Sequence, residues 1–263
     1  MMTKDGVQRI ATSHGAVLAD PASWARVADA GGASRGAVPH EQIFEPGFWA
    51  ARGELAEVAG GRGSAWFVAG GGWVLRHSRR GGFIARLSQD GYVWAGESAV
   101  RTFAEFRLLA ELVGRGLPVP APMAARYQRR GLLYRCDLIT ERIADAHSLG
   151  AVLALTALEE RGWREVGATL ARLHAAGADH ADLNAHNILL DGAGRVSVID
   201  FDRGKLRAPS SPRQPAGWAA QNLSRLRRSL TKISRHLPPE RCSAAAWQWL
   251  LAGYSEGPAY APR

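Results

Sequence analysis

The stretch His180-Ala181-Asp182-Leu183-Asn184-Ala185-His186-Asn187, running straight into the apolar Ile188-Leu189-Leu190, constrains this chain more than any other feature. Side chains able to bind ions or move protons are concentrated there in one short loop at the mouth of a strand. Beyond it, the turn Asp191-Gly192-Ala193-Gly194 and the run Val196-Ser197-Val198-Ile199 complete a hairpin pattern, which ends at Asp200-Phe201-Asp202. Two oxygen ligands and a separate carboxylate then converge. Asn187 and Asp200 are hard donors of the kind magnesium takes from protein, while water and substrate phosphates complete its octahedron. Asp182 is left to accept a proton from, and aim, an attacking hydroxyl.

With 46% apolar residues over 263 positions, the chain can bury one large core or two smaller lobes. No run approaches the roughly 18 uncharged apolar residues that a membrane-spanning helix needs, and the first residues lack the apolar centre of a secretory signal. A cytosolic location is therefore expected. Cys136 and Cys242 have no neighbouring Cys or His, which predicts two reduced thiols and neither a disulfide nor a zinc site. A net charge of +9 favours anionic company: nucleic acid, an anionic membrane face, or a phosphorylated or carboxylated substrate.

From about residue 60 the pattern is of strands broken by glycines, GRGSAWFV, then WVLRHSR, then GFIARLS, an antiparallel meander. Phe103, Phe106, Leu109, Leu112 and Val113 recur at helical spacing and predict a helix over 102–113, stopped by Gly114 and Gly116. GLLYRCDLITERI returns to strand, 147–176 is helical, and the tail from Gln221 is helical again. The expected fold is thus α+β and bilobal, with an antiparallel sheet and one helix in a lobe over 41–143 and a mainly helical lobe over 144–263. Residues 1–40 give no firm signal.

The arrangement H-x-D-L-x-x-x-N followed by D-F-x resembles the catalytic and metal-binding loops of protein-kinase-like phosphotransferases. That resemblance implies ATP and magnesium, and a cation for the non-transferred phosphates tethered by a helix glutamate. Arg76 in WVLRH stands where the family usually has lysine, with Glu105 as its natural partner and Glu111 as the other choice. Arg86 in FIARL is a rival that lies nearer Glu105 in sequence. Arg76 is preferred because its strand follows the glycine-rich hairpin that would cover the nucleotide, although Gly60, Gly61 and Gly63 do not spell G-x-G-x-x-G.

Departures from the protein kinases narrow the substrate. Ala181 replaces the arginine of H-R-D, Asp202 replaces the DFG glycine, and no A-P-E follows, so no peptide-docking apparatus is expected. WVLRHSRRGGFIARL, FAEFRLLAELVGRGLPVPAPMAARY and HADLNAHNILLD with VIDFDRGKLR together resemble the bacterial 3-deoxy-D-manno-octulosonic acid (Kdo) kinases, over roughly residues 40 to 250. The resemblance implies transfer of the ATP γ-phosphate to the 4-hydroxyl of a Kdo sugar on a lipid A precursor. It also implies a peripheral location at the cytoplasmic side of the bacterial inner membrane.

A substrate bearing carboxylate and phosphates calls for a cationic face, and Arg79, Arg80, Arg203, Lys205 and Arg207 are the expected contacts. In NLSRLRRSLTKISRHL, Leu223, Leu226, Leu230 and Ile233 form an apolar stripe that packs on its own domain or lies on an anionic bilayer. Either way Arg225, Arg227, Arg228, Lys232 and Arg235 turn outward. The competing readings are a kinase-like enzyme acting on a soluble amine, of aminoglycoside or choline type, and an inactive pseudokinase adaptor. The basic surroundings of the motif argue against the first and its intact Asp182, Asn187 and Asp200 against the second. No aromatic-interleaved basic motif points to nucleic acid.

Overall fold

The structure, a computed structural model, describes residues 7–22, 41–57, 65–78 and 91–257. They fall into two compact units, one within Met1–Ala110 and Ala121–Arg142, the other within Glu111–Pro120 and Ile143–Arg263.

The first unit is built on an antiparallel sheet of eight strands. In chain order they are β1 (Gln8–Ala11), β2 (Gly15–Ala19), β3 (Ala56–Glu57), β4 (Ala65–Val68), β5 (Trp73–His77), β6 (Tyr92–Val93), β7 (Pro122–Arg130) and β8 (Leu133–Glu141). Their spatial order is β1-β2-β7-β8-β5-β4-β3, with β6 also on β8. Of the expected meander the described residues show the β4–β5 pair; β3, not expected from the sequence, adds to β4, and β5 finds its other neighbour, β8, far along the chain. The strand expected at GFIARLS lies outside the described residues. The β1–β2 hairpin arises within residues 1–40, where no firm signal was read, and it extends the sheet on β7. Gly15 allows that pairing, because a Cβ there would stand 2.1 Å from the Tyr127 carbonyl oxygen.

Burial alternates along β5, where Trp73 and Leu75 enter the core and Val74 and Arg76 take the other face. The core gathers Val17, Phe44, Trp49, Val68, Leu75, Met123 and Ile139 around Trp73. Trp49, on the short α1 (Pro46–Ala50), meets Trp73 edge-on at 5.9 Å and donates its indole N–H to the Ile43 carbonyl at 2.7 Å. A large ring is buried with its one donor satisfied. The buried Arg126 of β7 fastens the same segment, bonding Asp137 and Glu45 at 2.7 Å each and the Glu41 carbonyl at 3.0 Å. Helix α2 (Arg101–Gly114) forms where the periodicity predicts it and buries Phe103, Phe106, Leu109 and Leu112.

The second unit is helical: α3 (Leu149–Leu155), α4 (Glu160–Ala175), α5 (Gly217–Ser234) and α6 (Ala244–Glu256). Ser148 and Ser243 cap α3 and α6 by accepting the N–H groups of Ala151 and Ala246. α4 and α6 approach closely through glycine: a Cβ on Gly167 would lie 2.0 Å from the Leu250 carbonyl oxygen, and one on Gly253 2.1 Å from that of Arg164. Two small antiparallel ladders complete the unit. One has the order β12 (Val196–Val198), β11 (Ile188–Asp191), β9 (Ala146–Ser148); the other pairs β10 (Ala178–Asp179) with β13 (Lys205–Leu206). The apolar stripe of α5 packs inward, with Leu223, Leu226 and Leu230 buried. Among the described residues no helix is long and apolar enough to cross a membrane.

Candidate active site

The second unit assembles the 180–202 motif into one site. α4 ends at Ala175 with Ala176 as its cap, and Gly177 turns the chain with φ +81° into β10. The β10–β13 ladder then sets His180 at the start of the loop. Leu183 and Ala185 are buried and hold the loop down, whereas Asp182 is exposed. The Ala185 N–H donates to the Ser229 hydroxyl of α5 at 3.2 Å, and its carbonyl accepts from Gly150 N–H at 3.1 Å.

The β11–β12 register explains how residues far apart in sequence meet. Ile188 faces Val198, so Asn187 faces Ile199, whose N–H donates to the Asn187 carbonyl at 2.9 Å. Asp200 is the next residue. It adopts φ +65°, a left-handed conformation that costs an L-residue of this kind about 1 kcal/mol or more and persists only where neighbours enforce it. Phe201, buried directly after it, is one such neighbour and packs 4.8 Å from the His180 ring.

His180 is the hub. Its Nε2 donates to the Ile199 carbonyl at 2.9 Å, and its Nδ1 accepts the Asp182 N–H at 3.1 Å. A carbonyl cannot donate and an amide N–H cannot accept, so the pair of bonds fixes a neutral ring protonated on Nε2. Burial pushes the His180 pKa down in the same sense, while the nearby Asp200 and Asp182 carboxylates partly oppose it. One imidazole thus ties the loop carrying Asp182 to the strand end carrying Asp200.

Asn187 is 9% exposed and donates its Nδ2 to the Asp182 carbonyl at 3.0 Å, which fixes the amide flip and makes Oδ1 the atom that could bind a cation. Asn184 donates to the same carbonyl at 3.0 Å and to Asp182 Oδ2 at 3.3 Å. Among the described residues no group of three or more His, Cys, Asp and Glu is placed to hold a metal alone. An amide oxygen with one carboxylate fits instead an ion that keeps most of its shell for water and phosphate, which is the habit of magnesium.

Within the first unit, Arg76 reaches Glu105 of α2, with NH2 to Oε2 at 2.5 Å and the glutamate 3% exposed. Glu111 pairs with Arg115 at 2.8 Å, which decides the partner of Arg76. Arg79, Arg80 and the rival Arg86 lie outside the described residues. Arg203 and Lys205 are exposed, with Arg203 at 4.0 Å from Asp202, whereas Arg207 is held by Asp179 at 3.1 Å. Sequence reasoning missed Asn184 and Asn222. Asn222 of α5 is fully buried, accepts the His180 N–H on Oδ1 at 2.9 Å, and donates to Asp179 Oδ1 and the Trp218 carbonyl at 3.0 Å each. Asn184 sits inside the motif and was open to notice; Asn222 carries no local signal.

The sequence model of the lipopolysaccharide kinase (Kdo/WaaP) family matches residues 47–254. The chain belongs to that family. Among curated proteins it is 49% identical, over 73% of its length and 75% of theirs, to a 3-deoxy-D-manno-octulosonic acid kinase of Xylella fastidiosa (strain 9a5c) and to one of Stenotrophomonas maltophilia (strain K279a). It is 47% identical to a protein of the same description from Xanthomonas campestris pv. campestris (strain B100), over 84% of this chain and 82% of the other. Among solved structures it is similar to WaaP in complex with acyl carrier protein, at 17% identity and a TM-score of 0.50, covering 84% of this chain and 88% of that one. At that identity the likeness is one of fold, and the family's fold is the protein-kinase-like α+β fold.

Proposed function

We propose that the chain transfers the γ-phosphoryl group of ATP to the 4-hydroxyl of the Kdo sugar on a Kdo-bearing lipid A precursor, a step of lipopolysaccharide core biosynthesis. The observation that carries the reading is the union of an ordered Asp182, Asn187 and Asp200 centre with identity approaching one half to proteins described as Kdo kinases. Such transfer asks the protein for positioning and charge neutralisation rather than covalent chemistry.

Asp182 accepts the proton of the sugar hydroxyl and aims it in line. Its exposure makes it reachable, and the Asn184 contact holds its carboxylate in one rotamer. Asn187 Oδ1 and Asp200 are the residues that would hold magnesium, which when bound neutralises charge on the triphosphate. Arg76, steadied by Glu105, binds non-transferred phosphates; its planar fork offers two donors where a lysine offers a point charge. His180 takes no proton in the reaction and holds the loop.

The acceptor's negative charge suits this chain. Residues 203–239 hold nine Lys and Arg and no Asp or Glu, and the remaining basic and acidic residues balance at 24 each. Arg203 and Lys205 are proposed to meet carboxylate and phosphate of the acceptor. On α5, Arg227, Arg228, Lys232 and Arg235 are exposed and meet no carboxylate among the described residues. This face supports a peripheral location at the cytoplasmic side of the inner membrane, each cation contributing about 1 kcal/mol near an anionic surface. Nothing favours a soluble cationic acceptor.

Purified protein incubated with labelled ATP, magnesium and Kdo-lipid A precursor, with an aminoglycoside panel alongside, tests the reading. Label on the sugar 4-position is expected. Label on soluble amines alone refutes it.

A further inference from the structure

The β7–β8 hairpin turns on Gly131 and Leu132, since Arg130 pairs with Leu133 across the ladder. Gly131 has φ +60° and Leu132 keeps a negative φ, the type II′ arrangement that puts glycine first. The turn needs the glycine. It does not need leucine beside it, and turn positions facing water are ordinarily polar.

Leu132 is nonetheless 79% exposed, Val93 62% and Leu133 36%. Val93 and Leu133 are directly paired between β6 and β8, so the three form one protruding apolar tip. The tip is held in shape: Trp94 N–H donates to the Leu132 carbonyl at 2.9 Å, and the Arg129 guanidinium lies 5.0 Å over the Trp94 ring. Arg129, Arg130 and Arg135 are all exposed around its base. Among the described residues neither Arg129 nor Arg130 meets a carboxylate; Arg129 donates instead to the Gly131 carbonyl at 2.8 Å.

Leucine and valine at the apex with guanidinium groups just behind match the layering of a bilayer surface, where acyl chains lie beneath a plane of phosphates. A protein partner is a poorer match. Three side chains, one on the turn and two on the strands beside it, fall far short of the roughly 800 Å² per partner that a stable interface buries.

We propose that the β7–β8 tip inserts into an anionic bilayer, Leu132 and Val93 entering the acyl boundary while Arg129 and Arg130 bind lipid phosphates. The proposal deepens the peripheral-membrane part of the reading above and rests on that part alone. It adds a membrane contact of its own to the basic face of α5.

The test is sedimentation of the full chain with vesicles of phosphatidylcholine alone and of phosphatidylcholine with phosphatidylglycerol at roughly 7:3. Binding to the anionic vesicles is expected, weakened roughly tenfold by Leu132→Asn and roughly fivefold by Arg130→Gln. Both variants should transfer phosphate to detergent-dispersed acceptor at the unaltered rate, which shows that they fold and reports on the phosphotransfer reading independently. Vesicle affinity unchanged in Leu132→Asn with transfer intact would overturn the proposal, as would a parent chain that transfers phosphate yet binds neither vesicle. Self-association abolished by Leu132→Asn, with vesicle binding untouched, would assign the tip to a second copy and overturn it too.

Discussion

Replacing Asn222 by leucine removes a side chain that touches no proposed ligand, yet it should cripple turnover. The residue is fully buried, and its amide serves the His180 N–H, Asp179 Oδ1 and the Trp218 carbonyl at once. Leucine keeps the branched outline but is bulkier, so at a fully buried position some overpacking adds to the cost of the partners left behind. The Trp218 carbonyl keeps its place in the helix. The buried His180 N–H does not recover a partner, at a cost of about 1–3 kcal/mol, while the part-buried Asp179 keeps Arg207 and loses less. A loss of about 3 kcal/mol in unfolding free energy is expected, read as a drop of about 1 M in the urea midpoint. Because His180 carries the bonds that hold Asp182 and Ile199, kcat should fall at least about tenfold while KM for ATP moves little. Asn222→Asp keeps the acceptor for His180 N–H but sets a carboxylate against Asp179, so it should recover only part of the loss. A leucine variant with parental midpoint and kcat would refute the view that α5 positions the catalytic loop.

Acidification should weaken the fold through His174, whose pKa burial lowers to about 4. The unfolded chain takes up that proton near pH 6.5, so the contribution is intact above 6.5 and lost as pH falls toward 4, to roughly 3 kcal/mol in all. Urea midpoints at pH 7 and 4.5 should show it, with the difference reduced in His174→Gln. Gly253→Ala must push a methyl into the Arg164 carbonyl and should destabilise by about 3 kcal/mol or more, measured by thermal unfolding. Arg76→Ala should raise the KM for ATP by roughly tenfold, and Arg76→Lys by less, because a point charge replaces one phosphate contact but not the fork.

What the sequence disclosed follows from how local each signal is. Asp182, Asn187 and Asp200 sit on one hairpin with its loop, so spacing was enough to read the loop and the strand pair that follows it, and the period of Phe103, Phe106 and Leu109 predicted α2. The choice of Glu105 over Glu111 needed coordinates, because both lie on the same helix and only the Glu111–Arg115 bond separates them. The pairing of β5 with β8 joins segments sixty residues apart, and strand patterning specifies faces rather than neighbours. β1 and β2 are short, and Ala16 and Ala19 bury little side chain, so their burial follows from pairing with β7 rather than from any apolar run. Asn222 was illegible for a related reason. Its role is set by a contact across forty-two residues, inside a helix whose own pattern advertises only leucines and arginines.

The most direct test of the centre compares Asp182→Asn with Asp200→Asn in two assays, nucleotide affinity in the presence of magnesium and phosphate transfer to the Kdo glycolipid. The account predicts that Asp182→Asn binds nucleotide like the parent and loses transfer by a factor of about 1,000 or more, as loss of an essential proton acceptor and aligning group implies. Asp200→Asn should lose magnesium-dependent nucleotide affinity itself. Comparable, near-parental transfer by both variants would contradict it.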